Sequence, residues 1–201
     1  MTPPRPYDTT TRELQQAELK ARIAAAAAEL HRSQGALATS YADIAKAAGV
    51  SLPTVYKHFP TMDELMQACT GHVGAQAPQF PAAQLAAAPD LESLARLLAE
   101  AMEKQHLHYA PWLVWREHGQ LPALATMYEA QRLQLTGLCQ QLLTAHGVAD
   151  ARSVAAVWES LLHFELWHRL VDAHKFSRAA ARDRITQLLL AATAAPNRKK
   201  P

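Results

Sequence analysis

Ser51, Thr54, Tyr56, Lys57 and His58 fall within eight residues of one another. Their hydroxyl, ammonium and imidazole groups can all bond phosphate oxygens or base edges. Sites of other chemistry are not suggested. The histidines His106 and His108, His118, and His163 with His168 lack the i, i+4 spacing that sets two metal ligands on one helical face. The cysteines, Cys69 and Cys139, are far apart and form no Cys-x-x-Cys pair, so neither a zinc site nor a disulfide framework is expected. A Gly-rich phosphate loop and a nucleophile elbow are also missing. We therefore expect no enzyme, no metal and no cofactor.

The polar set must be held by its surroundings, residues 40–59 (SYADIAKAAGVSLPTVYKHF), which read as helix, glycine turn, helix. Ser40 is an N-cap, with Asp43 three residues later in a capping-box arrangement. Tyr41, Ile44, Ala45 and Ala48 form the apolar stripe of the first helix. Gly49 supplies the backbone freedom for a sharp turn. Ser51 caps the second helix, and Pro53 is tolerated in its first turn. Ile44, Ala45, Val50 and Val55 would hold the pair together, with Ala45 small at the close approach. This is helix-turn-helix geometry, in which the second helix enters the major groove. The bland alternative is two short core helices with no role in DNA binding.

The remaining elements are helical. Residues 1–10 (MTPPRPYDTT), with three prolines, read as a disordered arm. Apolar residues at helical spacing predict a helix over 11–34, ended by Gly35. Thr61 and Glu64 box the start of a fourth helix near Met62. Pro78, Pro81 and Pro89 interrupt an alanine-rich stretch, which reads as a connector or a frayed helix. Asp90 opens a long helix to about Tyr109. Pro111 and Pro122 bracket a short helix holding Trp112 and Trp115. Further helices span about 122–146, 150–174 and 177–194, and 196–201 is a basic tail. No strand and no membrane span is expected. The chain of 201 residues carries a formal charge of +2. Residues 1–70 hold as many acidic as basic side chains, so any positive patch must come from arrangement. The expected setting is soluble and cytoplasmic.

Residues 23–69 resemble the DNA-binding domain of the tetracycline-repressor (TetR) family. The matching pieces are IAAAAAELHRSQG, T-S-x-x-DIA at 39–45, AGVSLPTVYKHF at 48–59 and P-T-x-DEL at 60–65. The resemblance implies an all-α fold: a three-helix head joined to a helical-bundle domain that binds ligand and dimerises. The corresponding boundaries are 11–61 and 62–195. It implies that Ser40 contacts DNA backbone and that Tyr41 can read a base. Leu52, Pro53 and Thr54 would face the groove, Tyr56 would bond a phosphate, and Lys57 and His58 would meet bases or backbone. One departure is Met62, where the family usually has a phosphate-binding lysine.

The implied function is a sequence-specific, ligand-responsive transcriptional regulator, usually a repressor. Its partners would be an operator in double-stranded DNA, a second copy of itself and a small-molecule effector, with no membrane. The alternative is a helical small-molecule-binding or adaptor protein that has lost DNA binding. Candidate pocket residues are Met102, His106, Tyr109, Trp112, Trp115, Met127, Tyr128, Trp158 and His163. The last two long helices are apolar on more than one face, which predicts a two-fold interface. Its expected residues are Leu161, Leu162, Trp167, Leu170, Ile185, Leu188 and Leu189.

Overall fold

The computed structural model describes residues 9–194, apart from the side chains of 9–11 and 118. Of the arm expected at 1–10, residues 1–8 lie outside the described residues, as do the basic tail and the His118 side chain, while 9 and 10 belong to the first helix. Those described are helical, with no strand among them. The helices are α1 (Thr9–Gln34), α2 (Tyr41–Ala48), α3 (Leu52–His58), α4 (Met62–Gly74), α5 (Ala82–Ala86), α6 (Leu91–Leu113), α7 (Pro122–Ala145), α8 (Ala151–Leu161), α9 (Phe164–His168) and α10 (Arg178–Ala194).

Two compact units emerge. The first takes the described residues up to Ala77 and adds Val114–Ala125. Thus α4 belongs with the head, not with the body as the 61/62 boundary supposed. The reason is packing: Leu65, Met66, Cys69 and Val73 of α4 are buried, as are Ile23, Ala24, Ala27 and Ala28 of α1, against which α4 lies. Between these helices the buried His31 sets Nδ1 3.4 Å from the Cys69 thiol. Burial lowers the His31 pKa and pushes the thiol up to about 12, so both are neutral at pH 7.

The added segment is tied down by polar bonds. The Glu117 carboxylate accepts from the successive amides of Ala36 (2.6 Å) and Leu37 (3.1 Å). Trp115 donates its indole N–H to the Arg32 carbonyl at 3.2 Å. Gly35 ends α1 with φ +84°, and a Cβ there would stand 2.6 Å from a Glu117 oxygen. The short helix expected around Trp112 and Trp115 does not form. Instead α6 runs through Pro111 to Leu113, and a single 3-10 turn covers Glu117–Gly119. Pro111 sits in the last turn of the helix, so the amide bond it forfeits interrupts only the helix end.

The second unit joins Pro78–Leu113 to the described residues from Thr126 onward. Its core gathers Leu94, Leu98, Cys139, Leu143, Trp158, Leu162, Phe164, Trp167, Ile185 and Leu189. Helix α10 packs on both α6 and α8. The Trp158 indole donates to the Leu189 carbonyl at 2.9 Å, tying α8 to α10. A second tie is Arg182 to the buried Glu103 at 3.0 Å.

The helix expected over 150–174 is broken. Leu162 ends α8, and His163 takes extended backbone (φ −68°, ψ 144°) and caps α9 by accepting from the Glu165 amide. A π-helical turn follows at Arg169–Ala173. The break re-aims the chain so that Trp158, Phe164 and Trp167 all enter one core. Part of the apparent surplus of apolar faces is therefore satisfied within the chain.

Candidate nucleic-acid interface

Helix α2 starts as its sequence demands. Ser40 accepts from the Asp43 amide, while Asp43 accepts from the Ser40 amide and hydroxyl at 3.0 and 2.5 Å. The box holds the Asp43 carboxyl below its ordinary pKa. Gly49 then closes the helix at φ +65°, with its amide directed to the Lys46 carbonyl and that of Val50 to Ala45. This is a Schellman close, which turns the chain while pairing two of the helix's last carbonyls. Ser51 restarts it by accepting from the Thr54 amide, and its hydroxyl meets that of Thr54 at 2.7 Å. Ile44, Ala45 and Val55 are buried, so α2 and α3 are fixed by an apolar seam. Val50 is only half-buried.

The opposite side of α3 is turned to solvent. Leu52, Pro53, Tyr56 and Lys57 are exposed, and Thr54 and His58 are half-exposed. Tyr56, at 50% exposure, is held by packing on one face. Its ring lies parallel to that of Tyr41, with centroids 4.6 Å apart and planes within 5°. Tyr41 differs from expectation: its hydroxyl donates to the Phe59 carbonyl at 3.1 Å. The group expected to read a base is already bonded inside the head. Ser40 and Ser51 likewise spend their hydroxyls on caps while remaining exposed.

The expected pocket residues do not gather as one set. Trp115 belongs to the first unit, where its indole is bound to Arg32. Trp158 is wholly buried in the core with its N–H bonded, and His163 is an exposed cap. Both leave the pocket list for those reasons. Met102, His106, Tyr109 and Trp112 share α6, and Met127 and Tyr128 share α7. All but the buried His106 are half-buried. His106 bonds the Leu162 carbonyl through Nε2 at 2.9 Å and meets Phe164 and Trp167 edge-on or tilted. Burial drives its pKa down to about 4, and that of Tyr128 up to about 12. Two surface depressions, about 410 Å³ beside Lys20 and Phe59 and about 380 Å³ beside Leu166 and Leu170, do not touch these side chains.

The expected interface residues also divide. Leu162, Trp167, Ile185 and Leu189 are buried in the chain's own core, which leaves them nothing to offer a partner. Leu188 is exposed, and Leu161 and Leu170 are half-buried. Exposed Val157 was not among the expected interface residues, and the Glu103–Arg182 pair was not foreseen. An ion pair between residues so far apart in sequence leaves no local signal.

An all-α fold with this exposed α3 and its capped glycine turn defines a helix-turn-helix DNA-binding transcriptional regulator. Residues 23–69 match the model of the bacterial regulatory proteins, tetR family. No curated protein matches it in sequence. Solved structures share the fold. A TetR-like transcriptional regulator from Rhodococcus sp. RHA1 is 23% identical with a TM-score of 0.65, over 90% of this chain and 98% of that one. NalD, the secondary repressor of the MexAB-OprM multidrug efflux pump in Pseudomonas aeruginosa, is 23% identical with a TM-score of 0.65, over 88% and 96%. The multidrug binding protein EbrR, complexed with imidazole, is 21% identical with a TM-score of 0.58, over 98% and 100%.

Proposed function

We propose that the chain is a homodimeric, small-molecule-responsive repressor acting on an operator in double-stranded DNA. The observation that carries this reading is α3: Val55 is buried behind it while Leu52, Pro53, Thr54, Tyr56, Lys57 and His58 stand out from it. Tyr56 bonds a phosphate, Lys57 and His58 meet backbone or base edges, and Leu52 and Pro53 cover thymine methyls. Ser40, Ser51 and Tyr41 set the frame.

Two copies present two recognition helices, which must stand roughly 34–36 Å apart to enter successive major grooves. The dimer surface is the outer face of α8 and α10, with Val154, Val157, Leu161, Leu188 and Leu190. Val157 and Leu188 are exposed at 46% and 38%. The effector binds the second unit among the α6 and α7 side chains His106, Tyr109, Trp112 and Tyr128. EbrR with its imidazole, and NalD with its efflux-pump target, support this kind of response. The effector lowers operator affinity by binding more tightly to the state that holds DNA poorly.

Selection from a randomised duplex library by the wild-type protein, followed by salt titration, tests the reading. The expected result is a two-fold symmetric sequence bound with a salt-dependent affinity. Enrichment of no sequence would turn the reading to a binding protein that has lost its DNA, which Met62 and the neutral head favour.

A further inference from the structure

We propose that Tyr41 is a positioning residue whose ring is the platform that aims Tyr56 at the DNA backbone. This rests on the reading of Tyr56 as a phosphate contact.

Three observations carry it. Tyr41 opens α2 and Tyr56 lies in the last turns of α3, yet the rings are parallel at 4.6 Å. That separation is stacking distance for aromatic rings. Second, Tyr41 cannot swing away, because its hydroxyl donates to the carbonyl of Phe59, the residue that closes α3. Burial and the nearby Tyr56 and Glu64 raise the Tyr41 pKa, so the phenol remains a donor at neutral pH. Third, Phe59 is itself buried at 5% exposure, which fixes the carbonyl that Tyr41 grips. The exposed Tyr56 ring is thereby held against one flat wall. An exposed tyrosine without such a wall would samples several rotamers, and ordering it would cost affinity.

Tyrosine ring signals of the full chain, measured by NMR, test the stack without DNA. We expect the Tyr56 signals to be displaced by the Tyr41 ring, partly retained in Tyr41→Phe, which keeps the ring but loses its anchor, and returned toward free-tyrosine values in Tyr41→Leu. Signals unchanged in Tyr41→Leu would overturn the proposal. Tyr41→Met, which keeps apolar cover without a ring, takes its place if Tyr41→Leu does not fold. Binding to the duplex selected by the wild type is the second measurement. Tyr41→Leu should lose about ten-fold, the size expected of one hydrogen bond to a charged group, and Tyr41→Phe, which keeps the ring but not its anchor, should lose less than Tyr41→Leu. Combined with Tyr56→Phe, Tyr41→Leu should add nothing further, since both remove one contact. Fully additive losses would make Tyr41 an independent contact and overturn the proposal. Wild-type affinity of Tyr56→Phe would instead remove the phosphate role of Tyr56, and the ring signals would still decide whether Tyr41 holds it.

Discussion

Lys57 stands exposed near the end of α3, with a flexible stem that can follow a phosphate or a base. The two roles separate by salt. If Lys57 bonds phosphate, Lys57→Ala should lower the slope of log affinity against log salt by about one and weaken all duplexes alike. A base contact would relax discrimination at one position of the selected duplex and leave others unchanged. We expect the phosphate pattern, read from titrations on selected and scrambled duplexes. His106 makes the second residue-scale prediction. Its folded pKa of about 4 lies below the 6.5 of an ordinary imidazole, and burial lowers that of His31 too. The unfolded chain therefore takes up protons first as pH falls, and stability decreases from about pH 6.5 toward pH 4. Melting temperature should drop between pH 7.5 and about pH 5. His106→Gln, whose carboxamide can still donate to Leu162, should reduce that drop.

Among the elements, the α2–α3 turn is the most tightly specified. Gly49 holds φ +65° with nothing within 4 Å of an added Cβ, so Gly49→Ala suffers only backbone strain. Its cost should be roughly 1–2 kcal/mol, read as a lowered melting temperature, with Gly49→Asn milder. That turn was legible in the sequence because every device in it is local: Ser40 with Asp43, Gly49 with Val50, Ser51 with Thr54. The α2 and α3 limits follow from the same caps. The break at Leu162–His163 was not legible, since apolar residues continue through it and only tertiary packing decides which face wins. The 61/62 division differs from the two compact units for a similar reason. Thr61 announces a new helix but says nothing of which core that helix joins. Tyr41 and Tyr56 were both marked as DNA contacts, yet nothing in their spacing reveals that they stack on one another.

For the whole molecule, assembly is the measurable property. Leu188 and Leu189 are neighbours with opposite surroundings, at 38% and 0% exposure. In the proposed two-fold interface Leu188→Glu acts twice, bringing two carboxylates into an apolar contact. The wild type should sediment as a dimer at micromolar concentration, and Leu188→Glu as a folded monomer with a collapsed affinity for the selected duplex. Leu189→Glu should instead unfold, because it buries a charge in the chain's own core. A wild type that sediments as a monomer would remove the interface.

The grip of Glu117 on Ala36 and Leu37 bears on anyone wishing to transplant the head onto another body. Because Val114–Ala125 runs with the first unit while α6 and most of α7 do not, the head is discontinuous in the gene. A graft cut after Ala77 leaves behind the carboxylate that holds those two amides and the indole that holds the Arg32 carbonyl. A chimera that carries residues 114–125 into the host's corresponding loop restores all three bonds and should melt at a higher temperature than one that does not.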